Sequence, residues 1–387
     1  KRFAAVFSMF VLMGLGLVLY LNMPDPEPRE REYIFVGAYT FFGCWMGIGV
    51  AGLVCAVASM ARPLQKAVIV ALVTLLVPLG ILAKNYFSHD RSRSYLAHDY
   101  AYNILHSCEP NAILFTNGDN DTYPLWFLQY VKGFRTDVRV TNLSLIKTSW
   151  YVKQLQDLEP SIPLGLSHEQ IEHEVSARLW RPRDVNFSGL TVKADDVPIA
   201  EYPTGESDQR VPVVETHTRM IWLVISQNNW ERPVYFAVTV PTSNVAGLRP
   251  YLSMEGMAYR LVKNRSMGQF SLERTDQNLL HDYRYRNIAD STVYKDPVAR
   301  RLLGNYLVLF DGLVRAYLLR GELANAFGSL QRAETLVPPS VMDPSEAWDL
   351  LANRYREIAG AYAEAGKTDS AMVSMEALIR TNPRAER

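Results

Sequence analysis

The chain is strongly apolar over its first 84 residues, in three runs separated by charged loops, and breaks into shorter mixed runs after them. Phe3 to Leu21 is one apolar stretch, close to the ~20 residues that cross the hydrocarbon core of a bilayer. Ile34 to Met60 is a second such stretch, and Ala67 to Ala83 a shorter third. Three uncharged runs this close together predict membrane-spanning helices rather than buried core helices. The second holds "GCWMGIGVAG", with Gly43 and Gly47 in a spacing that lets neighbouring helices approach closely, so a bundle larger than three helices is expected.

Loop charge sets the orientation. Lys1 and Arg2 precede the first run, and Arg62 and Lys66 lie between the second and third, with no acid among them. The intervening loop "NMPDPEPREREY" carries four acids, Asp25, Glu27, Glu30 and Glu32, against two arginines. The positive-inside rule puts Lys1 and Arg62 in the cytoplasm, and three crossings then put everything after Lys84 outside. The chain starts abruptly at Lys1, without Met or a signal-peptide pattern, which suggests that it continues a longer membrane protein.

Beyond the apolar region the periodicity predicts a soluble α/β chain. Ser94 to Ser107 has helical spacing, with Leu96, Tyr100 and Ile104 on one stripe. Ala112 to Thr116 reads as a strand, Tyr123 to Tyr130 as a helix and Val138 to Leu143 as another strand. His217 to Asn228 reads as a helix that exits at Asn229 and Pro233 into a strand, Val234 to Val240. Strands alternating with helices favour a mainly parallel sheet. From Pro160 to Pro212 the composition predicts an insertion of loops with one helix, Glu169 to Leu179.

The end of the chain repeats itself. "AYLLRGELANAFGSLQRAETLVP" and "AYAEAGKTDSAMVSMEALIRTNP" align without gaps, and Tyr317, Gly321, Ala326 and Pro338 match Tyr362, Gly366, Ala371 and Pro383. The pattern resembles the tetratricopeptide repeat, with "PPSVMDPSEAW" inserted between the units. Two such units bury only a small core, so they are expected to dock on the α/β domain or on a protein partner.

Composition excludes little. Lysine plus arginine equals aspartate plus glutamate, at 40 each, so no polyanionic partner such as nucleic acid is indicated. Cys44 and Cys55 fall in an apolar run, Cys108 stands apart, and no spacing suggests zinc or a disulfide framework.

Candidate chemistry centres on "NAILFTNGDNDTYPLWFLQ", where a strand breaks into a loop carrying Asp119, Asn120, Asp121 and Thr122. One reading is a divalent-metal site between Asp119 and Asp121 at the carboxyl end of a strand, where open α/β sheets hold ligands. A calcium loop is a second, but Thr122 stands where the sixth-position Gly belongs and Leu128 where the twelfth-position Glu belongs. The third, which leads, is structural: Asp121 or Thr122 caps a helix that begins near Pro124, and Asn117-Gly118 makes the turn. Asp90, Arg91 and Arg93 follow the third apolar run and could meet a lipid phosphate; an anchor to ordinary headgroups is the favoured alternative. His98, His106, His168, His173 and His217 form no metal-ligand spacing with acids.

"REREYIFVGAY", "HDRS", "NAILFTNGDNDTYPLWFLQ", "RTDVRVTNLSLIKTSWYVKQL", "ERPVYFAVTV" and "YLSMEGMAYRLV" resemble the C-terminal half of the membrane proteins grouped as domain of unknown function 2723, glycosyltransferase family 117. The resemblance covers about Arg29 to Arg265. It implies a GT-C-type architecture and transfer of a sugar, mannose in the animal relatives, from a polyprenyl-phosphate donor to Ser or Thr of secreted proteins. It also implies no obligatory metal, and a catalytic carboxylate expected upstream of Lys1. Bacterial relatives often carry repeats in this place, so the implied location is a bacterial inner membrane with a periplasmic soluble part. The expected chain is therefore multi-domain: transmembrane helices at 1–87 ending a GT-C-like bundle, an extracytoplasmic α/β domain at 88–295 that positions acceptor or partner, and tetratricopeptide-like helices at 296–387. The alternative is a membrane-tethered binding or scaffold module without catalysis.

Overall fold

The computed structural model describes residues 2–21, 32–58, 62–203, 210–342 and 344–381. Asp25, Glu27, Glu30 and Pro383 lie outside them. The chain forms two compact units, Lys1–Asp90 and Arg91–Arg387.

In the first unit, α1 (Arg2–Val11), a π turn (Leu12–Gly16) and α2 (Leu17–Leu21) follow one another, and α3 (Val36–Ala58) and α4 (Pro63–His89) come after. The apolar windows of Phe3–Leu21, Tyr33–Ala56 and Pro63–His89 are long enough to span a bilayer and bury 0%, 6% and 0% of their residues. Leu, Val and Phe left outward over whole helices require lipid rather than water around them, and the chain is a membrane protein. The third helix runs well past the apolar stretch. Pro63 starts it, because a missing N–H costs nothing in the first turn, and Lys84 and Asn85 continue it as tolerable helix formers. Among the described residues nothing packs on Gly43 or Gly47, where a Cβ would meet open space. Contact falls instead at Gly14, where a Cβ would lie 3.6 Å from the Ala38 Cβ, and at Trp45, whose ring centroid is 5.1 Å from that of Phe10.

The second unit opens with α5 (Leu96–Ser107), β1 (Ile113–Thr116), α6 (Asp119–Trp126) with its π-turn extension (Phe127–Val131), β2 (Arg139–Asn142), α7 (Ser149–Asp157) and α8 (His168–Glu174). Short strands follow: β3 (Arg178–Leu179), β4 (Val185–Phe187), β5 (Leu190–Val192), β6 (Ala200–Pro203) and β7 (Arg210–Val214). Then come α9 (Thr216–Asn228), β8 (Val234–Ala237), β9 (Leu252–Met254), β10 (Ala258–Leu261), β11 (Gln269–Phe270) and α10 (Leu272–Asp276). The last four helices are α11 (Pro297–Leu319), α12 (Leu323–Leu336), α13 (Pro344–Glu364) and α14 (Thr368–Thr381).

The main sheet has the order β11-β9-β10-β8-β1-β2. It is mixed: β8, β1 and β2 run parallel and β11 pairs parallel with β9, whereas β10 is antiparallel to both β8 and β9. The hairpin "LSMEGMAYRL" causes this, because a short turn can join only antiparallel strands. Ile113, Leu114, Phe115, Val234, Tyr235 and Phe236 are buried on both faces, as central strands require, and the Phe115 and Phe236 rings stack at 4.9 Å. The stretch expected to be loops with one helix is mostly loop with one helix, and it also carries short strands. The helix stops at Glu174, Arg178–Leu179 forms an edge strand, and β4 and β5 pair as a hairpin. Ser188 and Gly189 sit at φ +47° and +76°, the left-handed pair that a two-residue hairpin turn demands.

The helical region packs into the same unit. Tyr306 of α11 is fully buried; its hydroxyl accepts from Asn103 Nδ2 of α5 at 2.7 Å, and its ring meets that of Tyr100 edge-on. Helices α11/α12 and α13/α14 each reverse over a short turn, and Arg354 of α13 pairs with Asp311 of α11. Although α11 is long and apolar enough to be a fourth candidate span, Leu303, Tyr306, Phe310, Leu313 and Val314 are turned into the core.

A buried acid sits in the β9–β10 turn. Glu255 is 5% exposed, accepts the Tyr235 hydroxyl at 3.0 Å, and lies 3.7 Å from an Arg260 guanidinium that is itself bidentate to Glu109. Burial holds the Glu255 carboxyl above its ordinary 4.5, against the pull of Arg260. A carboxyl with a raised folded pKa binds its proton more tightly in the folded state. Its contribution is therefore fully present below pH 4.5 and lost as pH rises through the folded value. Glu255→Gln should remove this slope, so its melting temperature minus that of the parent should grow from pH 4.5 to pH 8. A pH-independent difference in thermal melts would contradict the assignment.

Candidate functional site

The three parallel strands β8, β1 and β2 end together, and the loop that follows β1 occupies their carboxyl edge. β1 is continued by a connection to β2 on one side, while β8 lies on its other side, so the β1–β8 crevice is the switch point where open α/β sheets hold ligands. Here the crevice is bridged by the protein itself. Asp121 Oδ1 accepts the Gly118 N–H at 3.0 Å; Oδ2 accepts the Asn117 N–H at 3.0 Å and the Thr239 hydroxyl at 2.7 Å. Asn244 Nδ2 donates to Asn117 Oδ1 at 2.8 Å, and Ser144 Oγ donates to the Asn117 carbonyl at 2.9 Å.

The helix after the loop begins at Asp119, five residues earlier than the spacing around Pro124 predicts. Asp121 is thus not the residue before the helix. It is the third residue in it, reaching back to the N–H of Gly118 and satisfying donors that the first turn leaves open. Its negative charge at the helix N-terminus adds to that stabilisation. Thr122 is buried, not exposed to a ligand: it meets Thr116 Oγ1 at 2.6 Å and accepts from Asn142 Nδ2 at 2.7 Å. Asp119 and Asn120 are exposed. Positions two apart on a helix do not face one another, so Asp119 and Asp121 leave α6 on different sides. Among the described residues no group of three or more His, Cys, Asp or Glu side chains gathers around a common point.

The juxtamembrane residues divide between the units. Asp90 closes α4, its N–H donating to the Tyr86 carbonyl at 2.9 Å. In the second unit Arg91 lies over the Tyr294 ring, and Arg93 donates to Thr292 at 2.8 Å and to Asp290 at 3.4 Å. Arg91 also lines a cavity of about 70 Å³ with Tyr95, Arg286 and Lys295. Arg286 is held there by fully buried Asp99, at 2.6 Å, and stacks on Tyr95. Buried Lys295 donates to two backbone carbonyls, those of Asp290 and Val293. The Arg93–Asp290 and Asp99–Arg286 partners lie nearly 200 residues apart in sequence, where no local pattern signals them.

Two further surfaces were not legible as loops. The insertion and α9 enclose a cavity of about 380 Å³, walled by Trp180 and Trp222 with Glu174, Arg178, Arg183 and Arg219 around it. On α6 and its extension, Tyr123, Phe127 and Tyr130 are exposed at i, i+4 and i+7, opposite buried Leu125 and Leu128. Cys108 is fully enclosed, and burial pushes its thiol up to about 12, so it is an inert core residue.

Residues 97–196 and 209–279 match the family described as TMEM260-associated domain 2, which covers less than half of the chain. No curated protein and no solved structure matches. The matched family replaces the assignment to domain of unknown function 2723 and glycosyltransferase family 117 that the sequence motifs suggest.

Asp121→Ala should destabilise the second unit by about 2 kcal/mol, since it strands two loop N–H groups and the Thr239 hydroxyl. Asp119→Ala should stay within about 0.5 kcal/mol, as for exposed positions generally. Denaturant titration of both variants decides. Equal stabilities, together with manganese-dependent thermal protection of the parent alone, would favour the metal reading instead.

Proposed function

We propose that this chain is a membrane-tethered binding module whose soluble unit holds a polypeptide partner on the outer side of the membrane. The observation that carries the reading is the bridged β1–β8 crevice: the place where an α/β sheet would accept a small ligand is filled by Asp121, Thr239, Asn117 and Asn244. The features left open are broad ones, an aromatic helix face and a groove in the insertion, which suit a macromolecule. The loop charges of Lys1, Arg2, Arg62 and Lys66 support an extracytoplasmic position. The pairing of α11/α12 and α13/α14 supports a second, tetratricopeptide-like partner surface. The matched family's description ties its domain to a transmembrane protein, in keeping with a tethered part rather than a free one.

Sugar transfer from a polyprenyl-phosphate donor to Ser or Thr is the competing function, and one experiment separates the two. The full chain is reconstituted in liposomes containing polyprenyl-phosphate mannose, and an array of unfolded peptides is added. Peptide retention without release of polyprenyl phosphate is the expected result. Release matched by glycosylated Ser or Thr would put catalysis in this chain, and absence of any retained peptide would remove the module reading.

A further inference from the structure

We propose that the groove between the insertion and α9 binds an extended acidic peptide, paired on the outer edge of β3 and anchored by an apolar side chain between Trp180 and Trp222. This rests on the binding-module reading and names its site and partner chemistry.

Three observations converge on it. First, β3 is the edge of its sheet, in the order β3-β7-β6. It pairs antiparallel with β7, and the Trp180 N–H donates to the Pro212 carbonyl at 2.8 Å. Hydrogen-bonded residues alternate along an antiparallel strand, so the N–H and C=O of Leu179 point away from β7 towards the open edge. Leu179 is itself 71% exposed, an apolar side chain on an unpaired edge, which proteins ordinarily protect. Main-chain pairing on such an edge, with pockets for alternate side chains, is a general mode of peptide capture.

Second, the adjoining cavity has the size and lining of a side-chain pocket. At about 380 Å³ it lies within the range of ligand sites, and Leu166, Val185, Val214, Met220 and Leu223 make its floor. The Trp222 indole N–H is already satisfied by the Ala246 carbonyl at 2.9 Å, so its ring is fixed with its polar edge turned into the protein. Third, the charge around the cavity is one-sided. Arg178 and Arg219 share Glu174, at 2.8 and 2.6 Å, which leaves three guanidiniums against one carboxylate and Arg183 exposed beside Trp180. A planar guanidinium matches a carboxylate in two-point contact, so a partner with acids flanking an apolar residue is favoured over a neutral or basic one.

The probe is a fluorescein-labelled octapeptide alternating Glu with Val around a central Phe, titrated by anisotropy against the full chain in detergent. Controls are the same peptide with Lys for Glu and one N-methylated along the edge expected to pair. The parent should bind the acidic peptide at least tenfold more tightly than either control. Arg183→Glu, at an exposed position, should weaken binding at least tenfold with an unchanged melting temperature, and Trp180→Ala should weaken it as well. Equal binding by parent, Arg183→Glu and Trp180→Ala, or equal binding of the Lys peptide, would overturn this site while leaving the module reading in place. If neither this peptide nor any in the liposome array is retained, both fall.

Discussion

One carboxylate holds together the ends of three parallel strands. Asp121 lies in the first turn of α6, yet its oxygens take the N–H groups of the loop after β1 and the hydroxyl of Thr239 after β8. Asn142 at the end of β2 joins the same network through the Gly118 carbonyl and Thr122. Parallel strands cannot be joined by hairpins, so nothing in their connectivity keeps adjacent ends in register. Here side-chain hydrogen bonds do it, between residues more than a hundred positions apart. The burial of Phe115 and Phe236 beneath depends on that register, since a slip of one residue would turn each strand's side chains to the opposite face.

The same clamp closes the crevice at the carboxyl edge of the sheet. A carboxylate with both oxygens occupied by donors has little to offer a ligand, and opening the crevice would expose several polar groups at once. In the proposed binding-module reading, recognition falls to elements outside the sheet, and the insertion between α7 and α9 supplies them. Its strands are short and half exposed, the facing Trp222 of α9 is fixed by its bond to the Ala246 carbonyl, and the arginines at the groove outnumber the acids. A rigid sheet that carries variable loops and small hairpins is a common division of labour between stability and binding.

The sequence foretells the elements well where a single face is buried, and poorly where structure depends on remote partners. Leu96, Tyr100 and Ile104 announce α5, and Asn229 and Pro233 announce the end of α9. The start of α6 is displaced from expectation because its cap works backwards from Asp121, not forwards from a residue preceding the helix. In the insertion, "VNFSGLTV" contains a hairpin turn, but Pro, Asp and Glu on either side mask its alternation. The mixed character of the sheet escapes a reading by alternation of strands and helices, because β9 and β10 are short and separated only by Glu255, Gly256 and Met257. The Arg286–Asp99 and Arg93–Asp290 contacts depend on long-range folding alone.

Apolar length does not separate a membrane helix from a core helix; the distribution of polar partners does. α11 passes every test of length and composition that α3 and α4 pass, yet 44% of its window is buried against the soluble unit. Asn305 donates to the Tyr100 hydroxyl, Tyr317 donates to Asp276, and Asp311 pairs with Arg354. In hydrocarbon each of these groups would need a partner on a neighbouring span; here every one finds it within the same unit. The N-terminal helices leave their apolar faces exposed among the described residues, and a bilayer satisfies such faces. The hydrophobic content of this chain therefore divides by function, part of it anchoring the protein in lipid and part of it joining the terminal helices to the sheet domain.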